Sequence, residues 1–233
     1  MNVTGAVVLV TGAGRGLGRQ FASGFVAAGA AKVYGTVRDP AAAGADFEQV
    51  VLDIGDPASV LRAAQNASDV TILVNNAGIN TWTPILGDPE LLRREMDVNF
   101  FGTLAVARAF APVLKANGGG YIVNILSTLS WYTGPEYAGY AAAKAALWSA
   151  TNALRLELLS QGTRVLAVHC GPLDTDMGAR TDGPKLTPND VVTQTLQALD
   201  SGQHELLTDP LTKFVRERLS APLSALYPAV GPA

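Results

Sequence analysis

Four short runs in this sequence are apolar almost throughout: Ala6–Thr11, Val70–Asn75, Tyr121–Leu126 and Arg164–His169. A strand with one wet face alternates polar and apolar side chains, whereas a strand buried on both faces does not. Doubly buried strands need cover on each side of their sheet, and helices supply it. Further strand candidates are Lys32–Val37, Gln49–Leu52 and Glu205–Thr208. Helix candidates lie between them at Gly16–Ala28, Pro57–Gln65, Pro89–Ala116, Tyr137–Gln161 and Pro188–Ser201. Asp88 before Pro89 is a helix cap followed by a first-turn proline, and Gly29 and Gly162 stand as helix stops. The alternation predicts one α/β domain over residues 1–233. Its core is a doubly wound parallel sheet of about seven strands with helices on both faces, followed by a short tail from about residue 209. A short amphipathic stretch in that tail, Thr212–Leu219, is expected to cover the pocket or a neighbouring subunit.

Composition narrows the function classes. With 48% hydrophobic and 16% charged residues the chain has material for a large core and too little charge for disorder. A net charge of -3 gives no electrostatic reason to bind nucleic acid or an anionic membrane. The lone Cys170 forms no internal disulfide, which fits a reducing compartment, and the first residues lack the basic, long apolar pattern of a signal peptide. The expectation is a cytoplasmic protein.

The first apolar run feeds Thr11-Gly12-Ala13-Gly14-Arg15-Gly16-Leu17-Gly18, and a helical pattern follows. Strand, glycine turn and helix N-terminus together make a phosphate site: glycines let the backbone approach, and the helix start offers free N–H groups. Leu17 stands where the common G-x-G-x-x-G pattern needs glycine, so the motif here is T-G-x-x-x-G-x-G. The second strand ends at Val37, where NAD sites place a carboxylate, and Arg38 follows. With Arg15 as a second cation, NADP(H) is favoured over NAD(H). Asp39 is the rival, as a ribose ligand if the strand runs longer. Asp53, after the third strand, is either an acceptor for the adenine amino group or a loop cap.

These residues resemble the short-chain dehydrogenase/reductase family, classical type, with its Rossmann-type fold, from about Ala6 to Met177. The glycine loop matches, as do Asn75-Asn76-Ala77-Gly78 after the fourth strand, Asn99 in Asp97-Val98-Asn99-Phe100, Ser127 at the end of the fifth strand, and Tyr140-Ala141-Ala142-Ala143-Lys144. The segment from Gly171 to Met177 resembles the family's nicotinamide-contacting loop, with Thr175 the contact. The resemblance places Gly12, Gly14, Arg15, Gly16, Leu17, Gly18, Arg38, Asp53, Asn76, Ala77, Gly78 and Thr175 at the cofactor, together with Tyr140 and Lys144. Two departures stand out: Leu126 replaces a serine before Ser127, which is expected to reshape the pocket, and Cys170 replaces a proline before Gly171.

The chemistry follows from the side chains. Tyrosine is a poor acid–base group at its ordinary pKa of about 10. Lys144, four residues on along a helix, shares its face, and an ammonium there favours phenolate. Ser127 would donate a hydrogen bond to a carbonyl oxygen as it gains charge. The resemblance implies that Lys144 also binds the nicotinamide ribose and that Asn99 holds a water linking Lys144 to solvent. The implied activity is hydride transfer between NADP(H) and a ketone, aldehyde or secondary alcohol. A 3-oxoacyl-(acyl carrier protein) reductase-like enzyme and a non-catalytic NADP(H)-sensing protein are the alternatives. A homodimer or homotetramer is implied as well. Trp82, Trp131, Tyr132 and Tyr137 either line an apolar pocket or serve packing or an interface. His169 and His204 are expected to be structural, and no metal site is expected.

Overall fold

The computed structural model describes residues 3–39 and 47–231. Seven strands, β1 (Val7–Val10), β2 (Lys32–Val37), β3 (Glu48–Val51), β4 (Ile72–Asn75), β5 (Gly120–Ser127), β6 (Thr163–Cys170) and β7 (Glu205–Leu207), form one sheet in the order β3-β2-β1-β4-β5-β6-β7. Every pairing is parallel.

The apolar runs alternate in face rather than in polarity. Val8, Val10, Val74, Val123 and Val168 face one core, shared with Phe21 and Phe25 of α1 (Gly16–Ala27) and Val191, Val192 and Leu199 of α6 (Pro188–Asp200). Leu9, Leu73, Ile122 and Val165 face the other. There they meet Val60 of α2 (Pro57–Asn66), Val106, Phe110 and Leu114 of α4 (Thr103–Ala116), and Leu154 of α5 (Ala138–Glu157). Each fully buried Phe or Leu contributes about 1.5–3 kcal/mol, so both layers are held strongly and the strands need no polar side. The edge strand β3 buries only Val50, as an edge should.

Helix starts follow the sequence signals. Asp88 accepts from the Glu90 N–H ahead of Pro89, Asp56 from the Ala58 N–H ahead of Pro57, and Thr187 forms a capping box with Asp190. Gly162 ends the α5 region in a left-handed conformation, φ +75°. The expected helix Pro89–Ala116 runs unbroken, as α3 (Pro89–Met96), a π-helical turn Asp97–Gly102, and α4. The α3–α4 stretch is apolar and long enough to pass for a membrane span, but Val106, Ala107, Phe110 and Leu114 are spent on the sheet. The tail begins with α7 (Pro210–Glu217).

The sheet's wiring positions the site. The chain builds β1, β2 and β3 outward in one direction, then crosses to β4 on the other side of β1. The crevice opens where connections leave in opposite directions, at the carboxyl ends of β1 and β4.

Candidate active site

The glycine loop leaves β1 at that crevice. Gly12 and Gly16 adopt φ of +70° and +53°, which glycine does without strain. Gly18 is required by close approach: a Cβ there would stand 2.2 Å from the Gly12 carbonyl oxygen and 2.5 Å from Asn76 Nδ2. Arg15 precedes α1 in an extended conformation and its side chain makes no cap, so the first N–H groups of α1 are left for an incoming anion. Leu17 is buried in the core, so only its backbone faces the loop.

Thr11 fastens the loop to the segment after β4. Its hydroxyl accepts from the N–H groups of Asn76 and Ala77 at 2.9 and 3.0 Å, and Asn76 Nδ2 returns a bond to the Thr11 carbonyl at 3.0 Å. Asn75 donates to Asn124 Oδ1 of β5 at 2.9 Å, and Asn124 donates to Thr151 of α5 at 2.9 Å. Loop, sheet and helix are thus registered through two sets of hydrogen bonds that meet at the adjacent Asn75 and Asn76.

Asn99 sits fully buried in the π-helical turn. Its Nδ2 donates to the Ile79 carbonyl at 2.9 Å and its Oδ1 accepts from the Ile79 N–H at 2.8 Å. A Cβ on Gly78 would come within 2.8 Å of that Oδ1. The amide thus clasps the Ile79 backbone from both sides and holds the 78–79 turn in place.

Ser127 ends β5 opposite Cys170 of β6. Its hydroxyl accepts from the Leu129 N–H at 3.1 Å and bears on the Tyr140 phenol of α5, favouring its ionised form. Lys144, one turn further, is buried. Its Nζ lies 5.6 Å from the centre of the Tyr140 ring and donates to the Ile125 carbonyl of β5 at 2.8 Å. The fold therefore brings Ser127, Tyr140 and Lys144 together. Burial pulls the Lys144 pKa down to about 8, against the opposing influence of Cys170. The Tyr140 phenol is pushed above its ordinary value, by burial first and then by Cys170, while the Ser127 hydroxyl works the other way and Glu95 adds to the rise. Desolvation sets the direction of the Tyr140 shift, upward where a neighbouring ammonium alone would lower it.

The segment after β6 faces the glycine loop. Thr175 caps a short 3₁₀ turn Asp176–Gly178, and its Cγ2 is 3.6 Å from where a Gly16 Cβ would lie. Asp176 takes Arg15 Nη1 at 2.9 Å, spanning the crevice. Arg38 and Asp39 are exposed just past β2, beyond the buried Val37. Asp53 is exposed and its Oδ1 accepts from the Gly55 N–H at 2.9 Å, so its capping role has an observed partner.

Leu126 packs into the core with Leu147 and Ala167 rather than into the crevice, so the replacement of a serine there does not reshape the pocket. The aromatics divide. Trp131 is stacked on His169 at 3.9 Å between ring centroids and meets Trp148 edge-on, so packing claims it. Tyr132 stacks on Tyr227 of the tail, and Trp82 leans on Tyr137. His169 is wholly buried, with its pKa lowered to about 4 by burial, and is neutral. Among the described residues no three His, Cys, Asp or Glu side chains gather as metal ligands.

Two residues at the site escape the sequence reading. Glu95 of α3 is fully buried and accepts from the Thr81 N–H at 2.6 Å, pressed against Gly139 one residue before Tyr140. No local pattern marks it. Asp209 is buried beneath the segment after β6, and there the Asp-Pro signal read at Asp88 was available.

Comparison with known proteins agrees with this geometry. A family model described as short chain dehydrogenase matches residues 6–185. A 1-deoxy-11-beta-hydroxypentalenate dehydrogenase of Streptomyces avermitilis is 30% identical over 226 residues, covering 90% of this chain and 84% of that protein. A 3-oxoacyl-[acyl-carrier-protein] reductase of Salmonella typhimurium is 34% identical over 195 residues, covering 76% of this chain and 77% of its own. A crystal structure of a short chain dehydrogenase from Burkholderia cenocepacia J2315, in complex with NADP, superposes with a TM-score of 0.94 at 39% identity over 100% of both chains. The chain belongs to the short chain dehydrogenase family, NAD(P)(H)-dependent oxidoreductases built on a Rossmann-type sheet.

Proposed function

We propose that this protein is an NADP(H)-dependent reductase of ketones or aldehydes, able to run in reverse on secondary alcohols. The observation that carries the reading is the meeting of Ser127, Tyr140 and Lys144 at the carboxyl end of β5, beside the glycine loop. The site fits a dinucleotide on its own terms. The α1 N-terminus is uncapped and the loop's backbone approach depends on Gly12 and Gly18. Gly12, Gly14, Arg15, Gly16, Leu17 and Gly18 would hold the pyrophosphate through backbone N–H groups. Arg15 and Arg38 would hold a 2′-phosphate, with Asp53, Asn76, Ala77, Gly78 and Thr175 along the rest of the dinucleotide. Several solved relatives carry NADP, which supports that choice over NAD(H).

When bound, the dihydronicotinamide supplies a hydride to the carbonyl carbon. Ser127 donates a hydrogen bond to the carbonyl oxygen as negative charge grows on it. Tyr140 gives that oxygen its proton. A phenol whose pKa is raised holds its proton throughout the neutral range, which suits reduction. Lys144 stabilises the phenolate left behind and offers a proton route at a pKa near 8. The backbone held by Asn99 keeps the 78–79 turn against this site.

The experiment is a titration with NADPH and NADH followed by a panel of aliphatic and aromatic carbonyls. Oxidation of NADPH by at least one carbonyl, lost in Tyr140→Phe, supports the reading; a Tyr140→Phe enzyme at full rate removes it. A second reading, a 3-oxoacyl-(acyl carrier protein) reductase, is favoured by the 34% identity to such an enzyme, and carrier-linked substrates on the same panel distinguish it. A homodimer or homotetramer is part of the proposal, supported by the exposed apolar Phe101 and Leu156, as is a cytoplasmic location, supported by a single cysteine that is buried and free.

A further inference from the structure

A buried carboxylate joins the C-terminal helix to both strand ends that carry the site. Asp209, 7% exposed, precedes α7. It accepts from four donors: the Gly171 N–H at 2.7 Å, the Thr208 hydroxyl at 3.1 Å, the Thr212 N–H at 2.9 Å and the Thr212 hydroxyl at 2.6 Å. Gly171 is the first residue of the segment that leads to Thr175 and Asp176. A Cβ on Gly171 would stand 2.7 Å from Asp209 Oδ1, so this approach is open to glycine alone. The Thr212 hydroxyl also meets the hydroxyl of Thr128, the residue after Ser127, and Thr128 bonds the Cys170 carbonyl at 3.3 Å.

We propose that Asp209 is a positioning residue that fixes the 171–177 segment, and with it the nicotinamide half of the cofactor site, from the C-terminal helix. The proposal rests on the reading of the site given above. A carboxylate accepts at both oxygens, and each oxygen here faces a backbone N–H that can only donate: Gly171 at Oδ2 and Thr212 at Oδ1, while the Thr208 hydroxyl shares its proton with the His169 carbonyl. An amide of the same shape turns an NH₂ toward one of these N–H groups and loses that bond. The disturbance falls on Gly171 and the segment it starts. The adenosine half would lie on the other side of the crevice, at the glycine loop and the end of β2; Asp209 touches neither, and the 171–177 segment reaches them through the exposed Arg15–Asp176 pair and the weak contact of Thr175 with Gly16.

The test compares two nucleotides on the full-length protein: NADP⁺, and adenosine 2′,5′-bisphosphate, which lacks the nicotinamide. In Asp209→Asn the Kd for NADP⁺ is expected to rise about tenfold, as loss of a charge-assisted bond implies, while the bisphosphate Kd stays at its wild-type value. The kcat is expected to fall more than the carbonyl KM changes. Thr212→Val, which keeps the carboxylate and covers the case in which Asp209→Asn fails to fold, is expected to move the ratio of the two Kd values in the same direction by about threefold. Equal weakening of both nucleotides, or an unchanged ratio in Thr212→Val, overturns the proposal. Failure of the wild-type protein to bind either nucleotide overturns the reading of the site itself.

Discussion

The buried ammonium of Lys144 donates a hydrogen bond to the Ile125 carbonyl at 2.8 Å, on the strand that ends in Ser127. The bond fixes the lysine under the Tyr140 ring without neutralising it, and desolvation brings its pKa to about 8. Carbonyl reduction needs a protonated Tyr140 and a cation to favour the phenolate it leaves. Tyr140, with its pKa raised, keeps its proton as pH climbs, so Lys144 titrates first. The rate of reduction, as kcat/KM, is expected to be flat in the neutral range and to fall as pH rises through about 8. Lys144→Arg keeps the charge to far higher pH. A pH–rate profile of that variant is expected to lose the alkaline decline even where its overall rate is reduced.

Tyr140→Phe removes the proton donor and leaves the glycine loop intact. Turnover is expected to fall by about 10²–10⁴-fold, with the Kd for NADP⁺ changed little. Steady-state kinetics and a fluorescence titration on one preparation check both halves.

Arg15 and Arg38 bear on cofactor choice. Arg15 is engaged by Asp176, but both side chains are exposed, at 81% and 77%, so that pair is worth less than about 1 kcal/mol and yields readily to a 2′-phosphate. Arg15→Ala and Arg38→Ala are each expected to lower kcat/KM with NADPH by about tenfold and to leave the value with NADH nearly unchanged. Equal losses with both cofactors would contradict the assignment.

Asn99→Ala strands the N–H and carbonyl of Ile79, both bonded to the amide in the native structure. Destabilisation of about 2 kcal/mol is expected, a fall in Tm of about 5 °C for a chain of this size. Thermal unfolding with the nucleotide absent reads this effect apart from any proton-transfer role.

Gly18→Ala drives a Cβ to 2.2 Å from the Gly12 oxygen, a backbone atom that has no rotamer to escape into. The helix start or the loop must shift, with a loss of about 1–3 kcal/mol and of nucleotide binding. Circular dichroism melts and a dinucleotide titration measure the two losses together.

Much of this architecture is written locally. The unbroken apolar runs marked β1, β4, β5 and β6 because a doubly buried strand has no wet face to record in polar residues. The glycines at 12, 16 and 18 marked the loop because each answers a backbone demand that no other residue meets easily. Tyr140 and Lys144 could be paired because four residues along a helix returns to the same face. Leu126 went the other way: a pattern of neighbours named it a pocket residue, and strand alternation turned it into the core.

Periodicity, glycine placement and helix spacing are properties of neighbouring residues, and they set the sheet, the loop and the tyrosine–lysine pair before any fold exists. The π-helical turn at Asn99, the seat of Trp131 on His169, the sign of the Tyr140 shift and the reach of Asp209 to Gly171 were decided by tertiary structure. Each depends on which distant groups share a dry space, and burial and hydrogen-bond satisfaction are fixed only when the chain has closed around them.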